Sequence, residues 1–205
     1  MRNGQTVVIT EPKGELFMRI GVQAIDGVPV TTRLAMKMED SLQAFAVRAA
    51  CFIGELEVPF SEEFDGHDYG ATHVIAYIGD EPIGTVRVRW FKSFAMTERL
   101  AVMQRFRGNN VGQLLLERCR QLAESRGCNM LYAQVLPSDT GYWEKLGWRR
   151  LVPEAMSSGP KPIVAMVKAV DPNKPMPEVE APEAIVLRRE PTLDSRGIPV
   201  GAIAN

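Results

Sequence analysis

The chain is short of the residues that staple small proteins together. Its 205 residues include three cysteines, Cys51, Cys119 and Cys128, and two histidines, His67 and His73. Three thiols cannot pair completely, their spacing fits no zinc pattern, and two histidines are too few for a His-rich metal site, so no metal is expected. A disulfide-built scaffold and a zinc module are therefore excluded, and reduced thiols predict a cytoplasmic protein. Long apolar runs are missing as well. A run such as residues 163–167 falls far short of the roughly 20 residues that span a bilayer. Residues 1–10 lack the apolar stretch of a signal peptide, and neither segment predicts membrane contact. No sign of charge dominates: Lys and Arg number 24, Asp and Glu 25, for a net charge of -1. Such a chain lacks the general basic field of a nucleic-acid binder. There is no internal repeat. What remains is a composition ordinary for a soluble globular protein, 45 % hydrophobic and 24 % charged, at a length that suits one domain better than two.

Organisation changes along the chain. Residues 171–205 hold six of the fourteen prolines, Pro172, Pro175, Pro177, Pro182, Pro191 and Pro199, which block helix and central strand alike. That segment reads as a Pro-rich tail, disordered or packed on the body or on a partner, with one strand-like stretch at residues 184–189. Residues 1–30 form an N-terminal extension with two short extended runs, residues 6–10 and 17–24. Strand edges at the two ends make a homodimer an expectation. Between them, residues 31–170 alternate. Strands are predicted over 31–38, 73–78, 83–91, 97–103, 130–136 and 163–170. Helices are predicted from Glu39, Asp40 and Ser41, which supply N-cap chemistry, to Cys51, then over 111–126 and 139–146. Residues 52–70 are expected to be an acidic loop. In the strand over 83–91, Val86, Val88 and Trp90 share one face, and Thr85, Arg87 and Arg89 the other. In the helix over 111–126, Gly112, Leu115, Leu116, Cys119, Leu122 and Ala123 fall on one face, and Gly127 is a cap candidate. The alternation predicts an α/β (α+β) fold, a central mixed sheet flanked by helices.

The junction Arg107-Gly108-Asn109-Asn110-Val111-Gly112 lies between a strand and the strongest helix. Main-chain N–H groups there lack helical partners, and the helix dipole adds positive charge. Gly and Asn tolerate the left-handed backbone that turns successive amides inward. The hexapeptide reads either as an anion cradle suited to a pyrophosphate or as an ordinary Gly/Asn-rich turn with an N-cap. It is neither a P-loop nor the dinucleotide fingerprint.

Three segments in register carry a resemblance. Leu100-Ala101-Val102 followed by Arg107 to Gly112 resembles the coenzyme A motif of GNAT-superfamily acyltransferases, Arg/Gln-x-x-Gly-x-Gly/Ala. Tyr142-Trp143-Glu144-Lys145-Leu146-Gly147-Trp148 is similar to that family's Phe-Tyr-x-Lys-Leu-Gly-Phe, and Ile83-Gly84-Thr85-Val86-Arg87-Val88-Arg89 to its Val-Gly-Thr-x-Arg-Leu-Arg strand. Arg48, Phe52, Glu55, Val58-Pro59 and Glu63-Phe64-Asp65-Gly66-His67-Asp68 further resemble the ElaA/YjcF-like branch, as do Ala133-Gln134 and residues 159–166. The resemblance implies a GNAT-like domain over residues 31–170 that transfers an acetyl group from acetyl-CoA, or another acyl-CoA, to an amine on a small molecule or protein. It implies that Arg107, Gly108, Asn109, Asn110, Val111 and Gly112 hold pyrophosphate. Leu100, Ala101 and Val102 would pair with pantetheine and supply an oxyanion donor. Acyl-homoserine-lactone synthases share the Arg, Phe and acidic pattern, so an enzyme of that kind using S-adenosylmethionine is one alternative. A non-catalytic coenzyme A-binding scaffold is the other.

Two positions depart from the family pattern. Asn110 stands where the first Gly is usual, and Asn is the next best residue for positive φ. Trp143 stands where many members have the Tyr that protonates the leaving thiolate, and an indole is no acid. Tyr142, its neighbour, becomes the candidate acid. The base is sought among the acids of residues 55–68. Glu63 is expected to take the amine proton, with Asp65 as the second candidate. Asp68, Arg48 and Arg87 are expected around the acceptor, the acids pairing with these arginines and raising one another's pKa. The bland reading of this run is a solvated loop whose carboxylates meet Arg48, Arg87 or Arg89. His67 and His73 read as structural, and Trp90, Trp143 and Trp148 as core or cleft wall.

Overall fold

The computed structural model describes residues 24–152, 155–157 and 162–179. The strand-like runs at residues 6–10 and 184–189, and all of the run 17–24 but Ala24, lie outside them. The described residues form two compact units. One comprises residues 24–58, 73–86 and 99–118; the other comprises 59–72, 87–98 and those from 119 onward. The sheet is mixed, with strands in the order β1-β2-β3-β4-β5-β6-β9-β7 and β8 on β9. Helices flank it, in agreement with the sequence pattern.

In the first unit, Asp26 and Gly27 take φ of 50° and 80°, the left-handed pair of a tight hairpin. That turn joins β1 (Ala24–Ile25) to β2 (Val28–Leu34), so β2 begins three residues before the predicted strand and ends four earlier. β2 pairs antiparallel with β3 (Thr72–Ile78), Val30 opposite Ile78. Helix α1 (Met38–Arg48) follows. Its N-cap is Lys37, not the acidic cluster expected. Asp40 instead sits at the third helical position and accepts from the Met36 and Lys37 N–H groups at 2.9 and 3.1 Å. The chain then widens into a π-helical stretch, Ala49–Glu55, where the sequence predicted helix to Cys51 and loop beyond. One apolar seam joins Ala44 to Ile75 and Tyr77, and another joins Val47 and Cys51 to Ala101, with Phe52 and Met103 against it. These contacts fix the π-helical stretch beside the end of β5 (Ala95–Val102).

β4 (Glu81–Trp90) carries the two faces that the sequence alternates. Its polar face is as buried as its apolar one: Thr85, Arg87 and Arg89 are at most 2 % exposed. Thr85 Oγ1 donates to the Val74 carbonyl at 2.8 Å, which satisfies one of these groups. Gly84 has a packing reason. A Cβ there would lie 3.0 Å from the Ala101 carbonyl oxygen, 3.2 Å from Val111 Cγ1 and 3.3 Å from Leu115 Cδ1. The missing side chain lets the start of α3 (Val111–Ser125) approach the strands.

In the second unit, β6 (Met130–Val135) runs parallel to the first residues of β5 and antiparallel to β9 (Pro162–Ala169). β7 (Arg149–Arg150) and β8 (Met156–Ser157) pair with β9. The short helices are α2 (Phe60–Glu63), inside the predicted loop, and α4 (Thr140–Lys145). Both α3 and α4 end in the same device. Gly127 and Gly147 take φ of 74° and 81°, and the following N–H groups of Cys128 and Trp148 reach back to Ala123 and Trp143 carbonyls. After α4 that return also packs Trp148 edge-on against Trp143, with centroids 4.8 Å apart. The Lys-Leu-Gly-Trp stretch is thus a helix stop that buries two indoles. Phe94, Met96, Met130, Tyr132, Ala165 and Val167 form the core of this unit, and Met176 and Val179 from the Pro-rich segment pack on it.

Candidate active site

The candidate residues divide between the two units. In the first, β5 leads through a short turn, Gln104–Phe106, into residues 107–112. Gly108 and Asn110 take left-handed φ of 83° and 57°. Asn at this position therefore adopts the conformation for which glycine is the usual choice. The Leu114 N–H bonds the Asn110 carbonyl at 3.0 Å, so the helix starts there. The N–H groups of its first turn have no intrahelical partner and point out of the helix end, where the dipole favours an anion. Gly108 and Asn110 are exposed, while Val111 and Gly112 are buried, which leaves the outer main chain of the turn open.

Arg107 does not extend from this turn into solvent. Its Nε donates to the Val102 carbonyl at 2.9 Å, and its terminal nitrogen donates to Glu55 Oε2 at 2.5 Å. Partial burial works against its charge. The hydrogen bond and charge of Glu55, with a smaller share from Cys51, outweigh that and hold the guanidinium above the ordinary arginine value. Arg99 sits inside β5 with φ of 51°. Arginine has no intrinsic preference for that backbone, so the strand is strained next to Leu100 and Ala101. Composition and periodicity gave no signal for this position. Arg48, also in this unit, is fully buried, with its guanidinium 5.5 Å from the Phe45 ring centroid.

In the second unit, the acidic run closes on Arg87. Asp65 takes its two terminal nitrogens, each at 2.7 Å; Asp68 bonds one at 3.0 Å; Glu98 accepts from Nε at 3.0 Å. Glu98 also lies 3.5 Å from Arg89. Burial alone would weaken the Arg87 charge, but the Asp65 hydrogen bond and the charges of Glu98, Asp65 and Asp68 hold it well above the ordinary value. Three carboxylates thus surround one arginine rather than facing one another. Glu98 was not among the sequence candidates, although it lies within the strand predicted over 97–103. The bland reading holds in part: much of residues 55–70 is exposed and Asp65 and Asp68 meet Arg87 as it describes, but Glu63 is 1 % exposed, at the end of α2. Gly66 takes φ of 84°, and the His67 N–H returns to Asp65 Oδ1 at 3.1 Å. Tyr142 is half-exposed on α4, and burial of its ring raises its pKa. Trp143 is buried against Trp148. Among the described residues, no group of His, Cys, Asp and Glu is placed to hold a metal ion, and no helix is long and apolar enough to cross a membrane.

Comparison with known proteins fits this arrangement. The profile of the acetyltransferase (GNAT) family matches residues 41–148. A Bacillus subtilis (strain 168) protein named as an acetyltransferase is 31 % identical over 136 residues, covering 65 % of this chain and 92 % of the relative. Among solved structures, Escherichia coli ElaA is similar with a TM-score of 0.59 at 17 % identity, over 68 % of this chain and 99 % of ElaA. An aminoglycoside 6′-N-acetyltransferase complexed with coenzyme A is similar with a TM-score of 0.57 at 15 % identity, over 71 % of this chain and 99 % of that one.

Proposed function

Because the chain belongs to the acetyltransferase (GNAT) family, we propose that it moves an acetyl or other acyl group from coenzyme A to an amine. The observation that carries this reading is the turn at residues 107–112. Two left-handed residues, Gly108 and Asn110, stand at the start of a 15-residue helix in the position of the family's coenzyme A motif. The main-chain N–H groups of Gly108, Asn109, Asn110, Val111 and Gly112 would bind the pyrophosphate, with the helix dipole behind them. Arg107 would contribute main chain, since its side chain is engaged elsewhere. Leu100, Ala101 and Val102 would pair with the pantetheine arm. A backbone N–H of this strained strand would stabilise the tetrahedral oxyanion. A coenzyme A complex of a fold neighbour supports the same cofactor.

Acyl transfer also needs a neutral amine and a proton for the departing thiolate. Asp65 and Asp68 bond Arg87 and would hold the loop, and Glu63 would take the amine proton, directly or through one water. Tyr142 keeps its proton at neutral pH and is the acid candidate, because the Trp143 indole cannot serve. Arg87, through Asp65 and Asp68, would set the shape of the acceptor loop.

Acetyl-CoA consumption measured across a panel of amines tests the activity itself. With an accepted amine, Glu63→Gln should lower kcat by about 10²–10⁴-fold and leave coenzyme A affinity nearly unchanged. Raising the pH should recover part of the loss, because a deprotonated amine needs no base. A fully active Glu63→Gln enzyme at neutral pH would make that carboxylate structural.

A further inference from the structure

The Arg107 guanidinium joins three pieces of the first unit. Its Nε holds the Val102 carbonyl at 2.9 Å, five residues back along the chain. Its terminal nitrogen holds Glu55 on the π-helical stretch. Cys51, one turn earlier on that stretch, acts on the same charge and is packed with Val47 and Ala101. The backbone between Val102 and Arg107 is closed as well, by Phe106 N–H to the Met103 carbonyl at 2.9 Å and Arg107 N–H to the Gln104 carbonyl at 3.2 Å. The arginine is therefore a strut at the start of the turn, with its side chain engaged by the Val102 carbonyl and Glu55. Glu55 gives the strongest of these holds, since its hydrogen bond and charge act on Arg107 more than Cys51 does, and without it a half-exposed guanidinium is less tightly held.

We propose that Glu55 is a positioning residue for the cofactor: through Arg107 it fixes the path from β5 into the turn, so that the main-chain N–H groups are set for pyrophosphate in advance. The proposal rests on the reading of residues 107–112 as a coenzyme A turn. Preorganisation of this kind appears as affinity, since a turn that must be ordered on binding weakens the ligand by that amount. The opposite arrangement has an opposite sign. If Glu55 merely withheld Arg107 from the phosphates, removing its charge would release the arginine and tighten binding.

Equilibrium dialysis of labelled coenzyme A against the full chain, Glu55→Gln, Arg107→Lys and the double variant distinguishes the two. Arg107→Lys keeps the charge and loses the planar fork that spans both partners. Glu55→Gln and Arg107→Lys should each weaken coenzyme A about two- to fivefold. The double variant should be no weaker than the worse single one, because both changes break one strut. Melting temperatures of the free variants report any general loss of stability. Weakened binding with an unchanged melting temperature supports a positioning role. Tighter binding by Glu55→Gln, or unchanged binding by both single variants, overturns the proposal. Wild-type protein that does not retain coenzyme A at millimolar concentration overturns the cofactor reading itself, and the proposal with it.

Discussion

Asn110 and Arg99 both occupy left-handed backbone, with φ of 57° and 51°, yet only one could be read in advance. Asparagine is a residue type that tolerates this region, so the family turn was legible despite a missing glycine. Arginine is not, and its strain in β5 is imposed by the sheet around it. Tyr142 shows how residue chemistry limits the mechanism. Burial of the phenol raises its pKa, so the folded protein keeps this proton to higher pH than an exposed tyrosine, whose value is about 10. The sign follows from linkage: its contribution to stability is complete below the unfolded value and is lost as pH rises through the folded one. For activity, Tyr142 stays a competent donor across the neutral range. The pH profile of kcat should therefore show no Tyr142 limb below about pH 10, and Tyr142→Phe should lower kcat at neutral pH without changing coenzyme A affinity. A falling limb near pH 8 that disappears in Tyr142→Phe would contradict this.

The helices and strands show where pattern is informative and where it is not. The ends of α3 and α4 were readable because Gly127 and Gly147 do one job there, a left-handed stop. In β4 the two faces were legible and their burial was not: Arg87 and Arg89 alternate with Val86 and Val88, and both arginines are buried. Periodicity records polarity, and only long-range partners, here Asp65, Asp68 and Glu98, make a buried arginine affordable. The π-helical stretch was hidden for a related reason, since widening one turn leaves no mark on composition. The acidic loop and its pairing with Arg87 were recognisable through a branch pattern, and the place of Glu98 on the same arginine was not. The described part of the Pro-rich segment, residues 171–179, is tied to the body. Asn129 donates to the Lys174 and Pro175 carbonyls and accepts from the Asp171 N–H, while Met176 and Val179 cover the core. A chain ending at Val179 keeps these contacts and is the reference. One ending at Val170 loses these contacts, worth about 2–4 kcal/mol, and should melt about 5–15 °C lower in calorimetry. Equal melting temperatures for the two truncations would show the segment to be dispensable.

For the molecule as a whole, family membership rests on residues 41–148, and the reading of its chemistry on whether the turn before α3 takes coenzyme A. That claim precedes every assignment of base, acid and acceptor, and it is testable without knowing the amine. Titration calorimetry of acetyl-CoA into the intact chain and into Gly112→Asp measures it directly. The substitution puts a carboxylate at the second residue of α3, against the expected path of the pyrophosphate. The wild-type chain should bind one acetyl-CoA, and ligand at about 100 times its dissociation constant should add about 2.7 kcal/mol of stability. Gly112→Asp should show no saturable heat while remaining folded. No saturable heat with the wild-type chain at millimolar acetyl-CoA, or equal affinity in the variant, would contradict the account.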